Sequence, residues 1–559
     1  MQQKKILFFI LLYIFSTCHI CSQSLSDSTI AKINRIFSKW DSKNTPGCVV
    51  GIIKNDSLIF TKGYGMANLE YNISNTPNTV YHMASVSKQF TAYCIVLLAK
   101  QGKLNLDDDI HTYLPWFPDL KEKITIRHLL NHTSGIRDQW ALVYISGTSE
   151  EDVITQEHVV KILSKQQALN FKPNDDFSYS NSGYTLLAEI IKSVSGKSLR
   201  AFSDSAIFKP LQMSNTFFHD DYTEIIKNRA SSYSRNDSTH FSNFLINYST
   251  VGATGLYTTM NDISKWIQNF YAIKVGDKTT IQLLTDSKPT LANDKPSNYA
   301  FGIRNRQYHG KLLYEHGGVD AGYRTVVYIF PTEKMGFVIF GNLEDIPAFP
   351  KADELADLFI PDKNAHTKHS DEKIDSSKAI LKDPIYYSKY SGDYISELGD
   401  LYKIFVYKSK LYLSSEGENY LLQEKKGDFI PVTEPMFKFS FEATKTNDTL
   451  LHQYWPKNHR ILYKAKGSNF HSDEDLKKYT GTYYSPELDC WYGIILKDHS
   501  LEFTNNKYDN SKAELIGTED LFDENLLGHI KVTRDQNNQI NGFEINMDRI
   551  RHLKFNKIE

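Results

Sequence analysis

The stretch MASVSKQFTA, residues 83–92, places two serines and a lysine within four positions, where a turn gives way to an apolar, helix-like run. If the helix begins at Val86, Ser85 occupies the N-cap, where free backbone N–H groups and the helix dipole favour developing negative charge. Lys88 follows three residues later, and this spacing places both side chains on one helix face. Ser87 lacks that relation to Lys88, so Ser85 is the candidate nucleophile.

A serine hydroxyl is a weak nucleophile unless a base lies within hydrogen-bonding distance. A lysine can be that base only if burial or neighbouring groups lower its pKa from the ordinary value of about 10.4. Alone, the Ser85-x-x-Lys88 spacing also fits a helix cap followed by a solvated lysine. Its interpretation therefore depends on the motifs that accompany it.

Two further motifs follow along the chain. In FSYSNSGYTLLAEII, residues 177–191, Tyr179 and Asn181 directly precede a helix-like run. In LLYEHGGVDAGYRTVVYIF, residues 312–330, His316 and the glycines after it lie on a predicted strand, where small residues let a ligand approach the backbone. With these three motifs in this order, residues 30–345 resemble the penicillin-binding-protein and class C beta-lactamase-like family of serine hydrolases.

The resemblance implies an acyl-enzyme mechanism with Ser85 as nucleophile. Lys88 and Tyr179 would carry the proton from Ser85 to the leaving group, and Asn181 would orient Lys88 and the substrate amide. The backbone N–H groups of Ser85 and Val319 would form the oxyanion hole. No metal ion or organic cofactor is implied. The residues expected to bind substrate are Asn181, His316, Gly317, Gly318 and Val319.

The third motif bears on the substrate. Many drug-resistance enzymes of the family carry Lys-Thr-Gly, whose charge and hydroxyl help to hold a substrate carboxylate. Here His316 is expected to be mostly neutral at pH 7, and Gly317 brings no hydroxyl. The His-x-Gly form is similar to the motif of D-aminopeptidases, some D-alanyl-D-alanine peptidases and esterases. This similarity favours a D-amino-acid-containing peptide as the substrate. An esterase or acyltransferase, a beta-lactam hydrolase and a non-hydrolytic penicillin-binding sensor are the alternatives.

Two other patterns invite a functional interpretation. His128 and His132 have the i, i+4 spacing of a helical zinc pair, but position 129 is Leu where the metalloprotease pattern has glutamate, so we expect a structural role. Thr259 and Asp262 predict a capping box at the start of a helix.

The arrangement of strand and helix patterns predicts the fold of residues 24–360. The segments at 47–65 and 325–342 each predict a β-hairpin, and the helix-like segments between them have stop signals at Gly102 and Gly196. We therefore predict one α/β (α+β) unit, whose antiparallel sheet unites the two ends of the region. The family resemblance implies flanking helices and a helical subdomain.

A different organisation is predicted beyond residue 360. Residues 361–385 are charged and bracketed by prolines, as in a linker. The pattern YSGDYISELGDLYKIFVYKSKLYL from residue 390 returns as YTGTYYSPELDCWYGIILKDHSLEF from residue 479. This repeat predicts two lipocalin-like antiparallel β modules, residues 386–470 and 471–559, whose aromatic side chains fit core packing better than a ligand pocket.

Composition and the N-terminus limit the partners and the location. The formal net charge is −2, so we expect no nucleic-acid partner. The family resemblance implies a small-molecule or short-peptide substrate. Residues 1–23 contain two lysines, an apolar run from Ile6 to Phe15 and then small or polar residues. This pattern predicts a signal peptide and a periplasmic or secreted protein, with a lipid anchor as the less favoured alternative.

After removal of the predicted signal peptide, three cysteines remain in the chain, too few for a disulfide framework.

Overall fold

The structure is a computed structural model that describes residues 25–149, 151–292, 297–361, 384–396, 400–415, 418–432, 437–443, 449–455, 458–464, 472–516, 520–523, 526–547 and 549–558. The predicted signal peptide lies outside the described residues, as does most of the predicted linker. No helix among the described residues is both long enough and apolar enough to cross a membrane.

Helices and short strands alternate in the region before residue 361. Its helices are α1 (Asp27–Phe37), α2 (Ser87–Lys100), α3 (Ile126–Leu130), α4 (Gln139–Ile145), α5 (Gln156–Leu163), α6 (Asn181–Ser195), α7 (Leu199–Ser203), α8 (Met260–Gln268), α9 (Lys278–Asp286) and α10 (Ala348–Asp357). Shorter helical turns are Ser38–Trp40, Ala84–Val86, Ile110–Thr112 and Asp204–Phe208. Its strands are β1 (Cys48–Lys54), β2 (Ser57–Tyr64), β3 (Met66–Asn68), β4 (Ile73–Ser74), β5 (Tyr81–His82), β6 (Phe217–Phe218), β7 (Tyr233–Arg235), β8 (Phe241–Asn243), β9 (Leu256–Thr258), β10 (Arg304–Tyr308), β11 (Lys311–Asp320), β12 (Tyr323–Phe330) and β13 (Met335–Gly341).

The central sheet has the strand order β10-β11-β12-β13-β1-β2, and all neighbours are antiparallel. Both predicted hairpins are confirmed, as β1–β2 and β12–β13. Pairing of β1 with β13 joins the beginning and the end of the region, as predicted. Every residue of β13 is buried, because α10 covers one face of the sheet and α8 the other.

Helix α2 runs through the middle of this region. Most of its side chains are buried, including Cys94, so the helix is apolar on nearly all sides. The chain leaves α2 through Gly102 and leaves α6 through Gly196, each with a φ of +68°. These left-handed glycines confirm the two predicted helix stops.

One predicted cap is only half formed. The Thr259 Oγ1 accepts a hydrogen bond from the Asp262 N–H at 3.3 Å, so Thr259 caps α8. The Asp262 carboxylate does not return the bond to the cap, as a capping box requires, but accepts from the Asn215 N–H at 2.6 Å. The box prediction is therefore wrong for Asp262, whose tertiary contact replaces the local one.

Two closed eight-stranded antiparallel barrels follow, as the repeat predicted. The first comprises α11 (Pro384–Ser388), β14 (Gly392–Ser396), β15 (Leu401–Tyr407), β16 (Lys410–Ser415), β17 (Glu418–Lys425), β18 (Asp428–Pro431), β19 (Lys438–Ala443), β20 (Thr449–Trp455) and β21 (Asn458–Lys464). The second comprises α12 (Asp473–Lys477), β22 (Gly481–Ser485), β23 (Cys490–Lys497), β24 (Ser500–Thr504), β25 (Ser511–Ile516), β26 (Asp520–Asp523), β27 (Gly528–Arg534), β28 (Ile540–Met547) and β29 (Ile550–Lys557).

Aromatic side chains fill the barrel interiors. In the second barrel the Phe543 ring lies 4.9 Å from the rings of both Tyr483 and Phe555, and all three are buried. The prediction of core packing is thereby confirmed. The buried residues of this barrel are continuous with the core around α2, whereas those of the first barrel form a cluster of their own. The second barrel is thus the one that packs against the region of the three motifs.

Candidate active site

Ser85 and Lys88 lie where the chain enters α2. Ser85 is partly exposed in the 3₁₀ turn Ala84–Val86, whereas Lys88, in the first turn of α2, is fully buried. The Lys88 Nζ lies 3.0 Å from the Ser85 Oγ. The structure therefore brings together the two side chains that the spacing predicted to share one face.

The predicted N-cap position of Ser85 is wrong. Helix α2 begins at Ser87, its N-cap is Val86, and no side chain caps it. Ala84 has a φ of +47°, so the chain enters a 3₁₀ turn before the helix, and Ser85 already lies inside that turn. Its hydroxyl is consequently directed towards Lys88 instead of a helix N–H group.

Ser87 points away from Lys88, as predicted. Its buried hydroxyl donates to the Ala84 carbonyl at 2.5 Å and accepts from the Leu256 N–H at 3.0 Å. These bonds tie the turn before α2 to strand β9. Ser87 therefore has a structural part in the site.

The hydrogen bonds of Lys88 fit a neutral amine. Its Nζ lies 2.8 Å from the Asn181 Oδ1 and 2.8 Å from the Ala253 carbonyl oxygen, and both of these atoms can only accept. A neutral amine has two N–H groups for these acceptors and one lone pair left over. That lone pair can receive the proton of Ser85.

The pKa of Lys88 is lowered to about 7. Burial is the largest cause, because it disfavours the charged ammonium form. The negative charge of Asp138 opposes this shift, and the positive charge of Arg549 adds to it. A large share of the molecules therefore carries the neutral amine near pH 7, which suits a general base.

Tyr179 lies beside both residues. Its ring centroid is 4.8 Å from the Lys88 Nζ, and its phenol interacts with the Ser85 side chain. Burial raises the pKa of Tyr179 to about 12, although the interaction with Ser85 opposes the rise. Tyr179 is thus a neutral phenol at pH 7, able to pass on a proton while Lys88 serves as the base.

Asp138 orients Asn181. The Asp138 Oδ2 accepts from the Asn181 backbone N–H at 2.6 Å and from its Nδ2 at 2.8 Å. Because the Nδ2 donates there, the Oδ1 is the atom that faces Lys88. The other Asp138 oxygen accepts from the Trp140 N–H at 3.0 Å and caps α4. One carboxylate therefore fixes the start of both α4 and α6.

His316, on β11, is buried and neutral. Its Nδ1 lies 2.6 Å from the Gly317 carbonyl, which can only accept, so the ring proton is on Nδ1. Its Nε2 lies 3.0 Å from the Tyr299 hydroxyl and accepts from it. Burial is the largest cause that holds the pKa of His316 well below its ordinary value, and the charge of Arg304 adds to it. The expected neutral histidine is confirmed.

Gly318 allows β11 to pass close to the turn that carries Ser85. A Cβ at Gly318 would lie 2.3 Å from the Met83 carbonyl oxygen and 2.4 Å from the Thr325 Oγ1. That hydroxyl in turn donates to the Met83 carbonyl at 3.0 Å. A side chain at position 318 would therefore push the strand and the nucleophile apart.

Gly317 and Val319, on either side of Gly318 in β11, have other roles. A Cβ at Gly317 would meet the Phe349 ring of α10 at 2.3 Å, so this glycine serves the packing between sheet and helix. Its predicted part in substrate binding can involve only its backbone. The Val319 side chain is 69% exposed. The predicted oxyanion role of Val319 concerns its N–H group, one residue beyond the close contact at Gly318.

Asp320 holds the end of β11 behind the site. Its Oδ2 lies 3.0 Å from the His82 Nε2 and accepts hydrogen bonds from Thr254, at 3.0 Å, and from the Tyr248 hydroxyl. His82 precedes Ser85 by three residues. The cluster therefore couples β11 to the segment that carries the nucleophile.

His128 and His132 do not form a zinc pair. Helix α3 ends before His132, whose φ is +59°. The His128 Nδ1 accepts from the Thr125 N–H at 3.2 Å in a capping box, and the His132 Nδ1 accepts from the Ser180 N–H at 3.1 Å. The His132 ring lies 4.3 Å from the Tyr179 ring. Among the described residues no group of three or more His, Cys, Asp or Glu side chains is placed to hold a metal ion. His132 instead packs against Tyr179.

The turn between β28 and β29 of the second barrel reaches this site. The Arg549 Cζ lies 5.3 Å from the centroid of the Tyr179 ring. The Arg549 carbonyl accepts from the Asn170 Nδ2 at 2.9 Å and from the Asp138 N–H at 3.3 Å. Asp138 therefore binds Asn181 through its carboxylate and the barrel through its backbone.

A buried ion pair secures the same contact. The Arg137 Nη1 lies 2.5 Å from the Glu487 Oε1, and both side chains are almost fully buried. The Arg137 Nη2 also donates to the carbonyls of Arg551 and His552, at 2.9 and 3.1 Å. One arginine of the motif-bearing region thus holds two separate parts of the second barrel.

Sequence reasoning missed Arg137, Asp138, Tyr299, Arg304 and Arg549. Arg137 and Asp138 follow His132 by five and six residues, and the spacing of His132 from His128 had already drawn attention to this segment. Their position was therefore a usable signal for both. No local pattern marks Arg549, because its part in the site depends on how the barrel docks.

Comparisons with known proteins agree with this geometry. A family model described as Beta-lactamase matches residues 33–360. Penicillin-binding protein 4* of Bacillus subtilis (strain 168) is 26% identical over 403 residues, which cover 69% of this chain and 87% of that protein. D-aminopeptidase of Brucella canis is 28% identical over 300 residues, which cover 54% of this chain and 57% of that protein. The alignment thus spans little more than half of the D-aminopeptidase.

A likeness of fold extends further along the chain. The structure of the octameric penicillin-binding protein homologue from Pyrococcus abyssi matches with a TM-score of 0.55. The match covers 86% of this chain and 99% of that one, at 21% sequence identity.

Proposed function

Since the chain belongs to the beta-lactamase family of serine hydrolases, we propose that it forms an acyl-enzyme on Ser85 and acts on amides of D-amino-acid-containing peptides. The observation that carries the proposal is the surroundings of Lys88. Its Nζ has acceptors for two N–H groups and the Ser85 Oγ at 3.0 Å for its lone pair, and its pKa is about 7. A buried lysine arranged in this way is prepared to activate a serine.

Acylation then follows from the positions of three side chains. Lys88 takes the proton as the Ser85 Oγ attacks the substrate carbonyl, and a tetrahedral intermediate forms. Tyr179 gives its proton to the leaving nitrogen as the C–N bond breaks, and it is reprotonated from Lys88. Its pKa of about 12 keeps the phenol protonated between turnovers.

Water completes the reaction. The backbone N–H groups of Ser85 and Val319 stabilise the oxyanion in both steps, and each well-placed donor contributes about 3 to 4 kcal/mol. Lys88 takes a proton from water, the hydroxide attacks the ester carbonyl, and the Ser85 oxygen leaves with that proton. Atoms and charges balance without a metal ion or a redox partner.

The substrate class is supported by the relatives and by His316. One relative is named D-aminopeptidase and another penicillin-binding protein 4*. The neutral His316 supplies no cation next to the reacting serine, in contrast to the lysine of the drug-resistance enzymes. Both points favour a peptide amide over a beta-lactam.

The test compares wild-type protein with Ser85→Ala, and uses Ser87→Ala as the matched control. The substrates are a nitrophenyl ester, D- and L-aminoacyl anilides and a chromogenic cephalosporin. We expect Ser85→Ala to abolish turnover, and Ser87→Ala to retain it because the Ser87 hydroxyl only bonds backbone groups. D-anilides should be turned over faster than L-anilides.

Each other outcome rejects a part of the proposal. Equal rates for Ser85→Ala and wild type would exclude Ser85 as the nucleophile. Turnover of the ester alone would favour an esterase, and faster turnover of the cephalosporin would favour a beta-lactamase. A stable penicillin adduct on Ser85 without turnover of any substrate would favour a sensor.

We also propose that the protein is exported. The support is the order of two lysines, an apolar run and polar residues within residues 1–23. Expression with a C-terminal tag, followed by fractionation and N-terminal sequencing, tests this. We expect a mature N-terminus near residues 22–24 outside the cytoplasm, and an uncleaved cytoplasmic chain would refute it.

A further inference from the structure

A cavity of about 310 Å³ lies where the chain that leaves α4 meets the second barrel. The serine-hydrolase region contributes residues 145–147 to its wall, and the barrel contributes residues 489–492 and 505–507. The two sides are joined by the Tyr492 hydroxyl, which donates to the Ile145 carbonyl at 2.9 Å. Ligand pockets often lie between domains, and their volumes begin at about 300 Å³, so this cavity can take a small molecule.

An exposed tryptophan forms part of the wall. Trp491, on β23, is 52% exposed, although tryptophan is among the side chains that proteins bury most on average. Within the described part of the chain, no other ring stacks on Trp491 and no acceptor takes a hydrogen bond from its indole N–H. The cavity is thus bordered by an aromatic surface and a donor that serve no contact within the protein.

Two asparagine amides lie in the same wall. The Asn505 Oδ1 accepts from the backbone N–H groups of Lys507 and Tyr508, both at 2.7 Å. Its Nδ2 has no acceptor among the described residues, and the Asn506 amide has neither a donor nor an acceptor there. An amide of this kind can both donate to and accept from a hydroxyl group.

The two charged residues of the wall already have partners. The Asp489 Oδ2 lies 2.9 Å from the Lys165 Nζ, and its Oδ1 accepts from the Tyr484 hydroxyl at 2.9 Å. The Lys507 Nζ lies 2.7 Å from the Asp152 Oδ2. Both charges are therefore compensated from the serine-hydrolase region. A charged ligand would have to compete with these pairs, so the cavity favours an uncharged one.

We propose that this cavity binds an uncharged carbohydrate. A sugar ring presents a face of C–H groups, which can lie on the Trp491 ring, and hydroxyls at its edge, which can bond to the amides of Asn505 and Asn506. A hydrocarbon would leave those amides without partners. The inference goes beyond the proposed function, because it concerns a site on the second barrel that does not include Ser85. Through this site the protein would hold a sugar-bearing compound.

Isothermal titration calorimetry with three neutral trisaccharides tests the proposal. The probes are cellotriose, maltotriose and tri-N-acetylchitotriose, which differ in linkage and in the N-acetyl groups but carry no charge. We expect at least one of them to bind the full-length wild type with a Kd of about 0.1 to 1 mM. Ser85→Ala should bind it equally well, because the cavity is separate from the nucleophile.

Three variants assign the binding to the cavity wall. Trp491→Ala should weaken the binding of that sugar by about tenfold or more, and Trp491→Phe should weaken it less because a smaller ring remains. Asn506→Ala should weaken it by about three- to tenfold through lost hydrogen bonds. Both side chains are exposed, so we expect the thermal unfolding midpoints of all three variants to stay close to that of the wild type.

Tyr407→Ala is the matched control. Tyr407 is an aromatic residue of similar exposure, 54%, but it lies on β15 of the first barrel. We expect this variant to bind the sugar as the wild type does. The proposal would be overturned if none of the three sugars bound at about 10 mM, or if Trp491→Ala bound as tightly as the wild type. Loss of binding in Ser85→Ala would place the sugar in the active site, and loss in Tyr407→Ala would place it on the first barrel; either result would also reject the proposed site.

Discussion

At the scale of single residues, two opposite charges act on Lys88. Asp138, which holds Asn181, stabilises the ammonium form, and Arg549 of the second barrel destabilises it. Burial has the largest effect, and the charges of Asp138 and Arg549 shift the pKa of Lys88 further, in opposite directions. The pH dependence of the activity is therefore the most direct measurement of how Asp138 and Arg549 act on Lys88.

The first prediction concerns this pH profile. Because Lys88 must be neutral to accept the proton, kcat/KM of wild type for a neutral ester should fall as the pH decreases through about 7. Arg549→Gln removes a positive charge that disfavours the ammonium form, so its midpoint should move to higher pH. Steady-state kinetics from about pH 5 to pH 10 check both. An unchanged midpoint in Arg549→Gln would contradict the coupling.

The second prediction concerns Asp138→Asn. Loss of the negative charge should move the midpoint to lower pH, opposite to the Arg549 variant. The Asn181 amide also loses a charged acceptor, so kcat on the alkaline plateau should fall by about ten- to hundredfold. The same pH series measures both effects. A midpoint that moves upward would show that Asp138 does not act on Lys88 through its charge.

At the scale of elements, the close packing around α2 requires a glycine at position 302. Gly302 has a φ of +69°, and a Cβ there would lie 2.5 Å from the Lys88 carbonyl oxygen. Gly310, in the turn between β10 and β11, has a nearly identical φ of +72°, but a Cβ there would have no atom within 4 Å. A substitution at Gly310 therefore tests backbone strain alone, whereas one at Gly302 tests backbone strain together with steric contact.

The third prediction uses this pair. Gly310→Ala should lower the free energy of unfolding by about 1 to 2 kcal/mol, the usual cost of a left-handed conformation with a Cβ, and leave kcat unchanged. Gly302→Ala should cost more and should also lower kcat, because the methyl group must displace the backbone of Lys88. Denaturant titration and ester hydrolysis give the two numbers. Equal losses for both variants would refute the steric argument.

Elements were predicted well where the signal was local. The hairpins β1–β2 and β12–β13, the glycine stops after α2 and α6, and the two barrels all follow from turn residues, periodicity and repetition. The cap on Ser85 was mispredicted because a 3₁₀ turn before α2 leaves the same sequence pattern as a cap. Asp138 and Arg549 were missed because their importance arises from contacts between distant segments, which a single sequence does not display.

At the scale of the whole molecule, the ion pairs that cross the contact with the second barrel differ in their exposure to water, as a comparison of two of them shows. Arg137 and Glu487 are buried, with side chains 0% and 6% exposed, whereas Lys165 and Asp489 are 34% and 61% exposed. The first pair is far from water, and the second is screened by it. Their contributions to the docking of the barrel should differ accordingly.

The fourth prediction compares Glu487→Gln with Asp489→Asn. Glu487→Gln leaves the Arg137 charge buried without its partner and should lower the free energy of unfolding by about 3 to 5 kcal/mol. Asp489→Asn should have a much smaller effect, because water screens this pair. Denaturant unfolding checks both variants. Similar losses for the two variants would mean that the interface is solvated around Arg137.

The contact between Asp138 and Arg549 also sets an order of events in time. A ribosome makes Ser85 and Lys88 long before it makes the turn of residues 547–550, and domains fold as they emerge. A growing chain can therefore contain Ser85 and Lys88 while Arg549, whose charge helps to lower the pKa of Lys88, is still missing. The hydrolase acquires its full set of charges only after the second barrel has closed, so that full competence is a property of the completed chain.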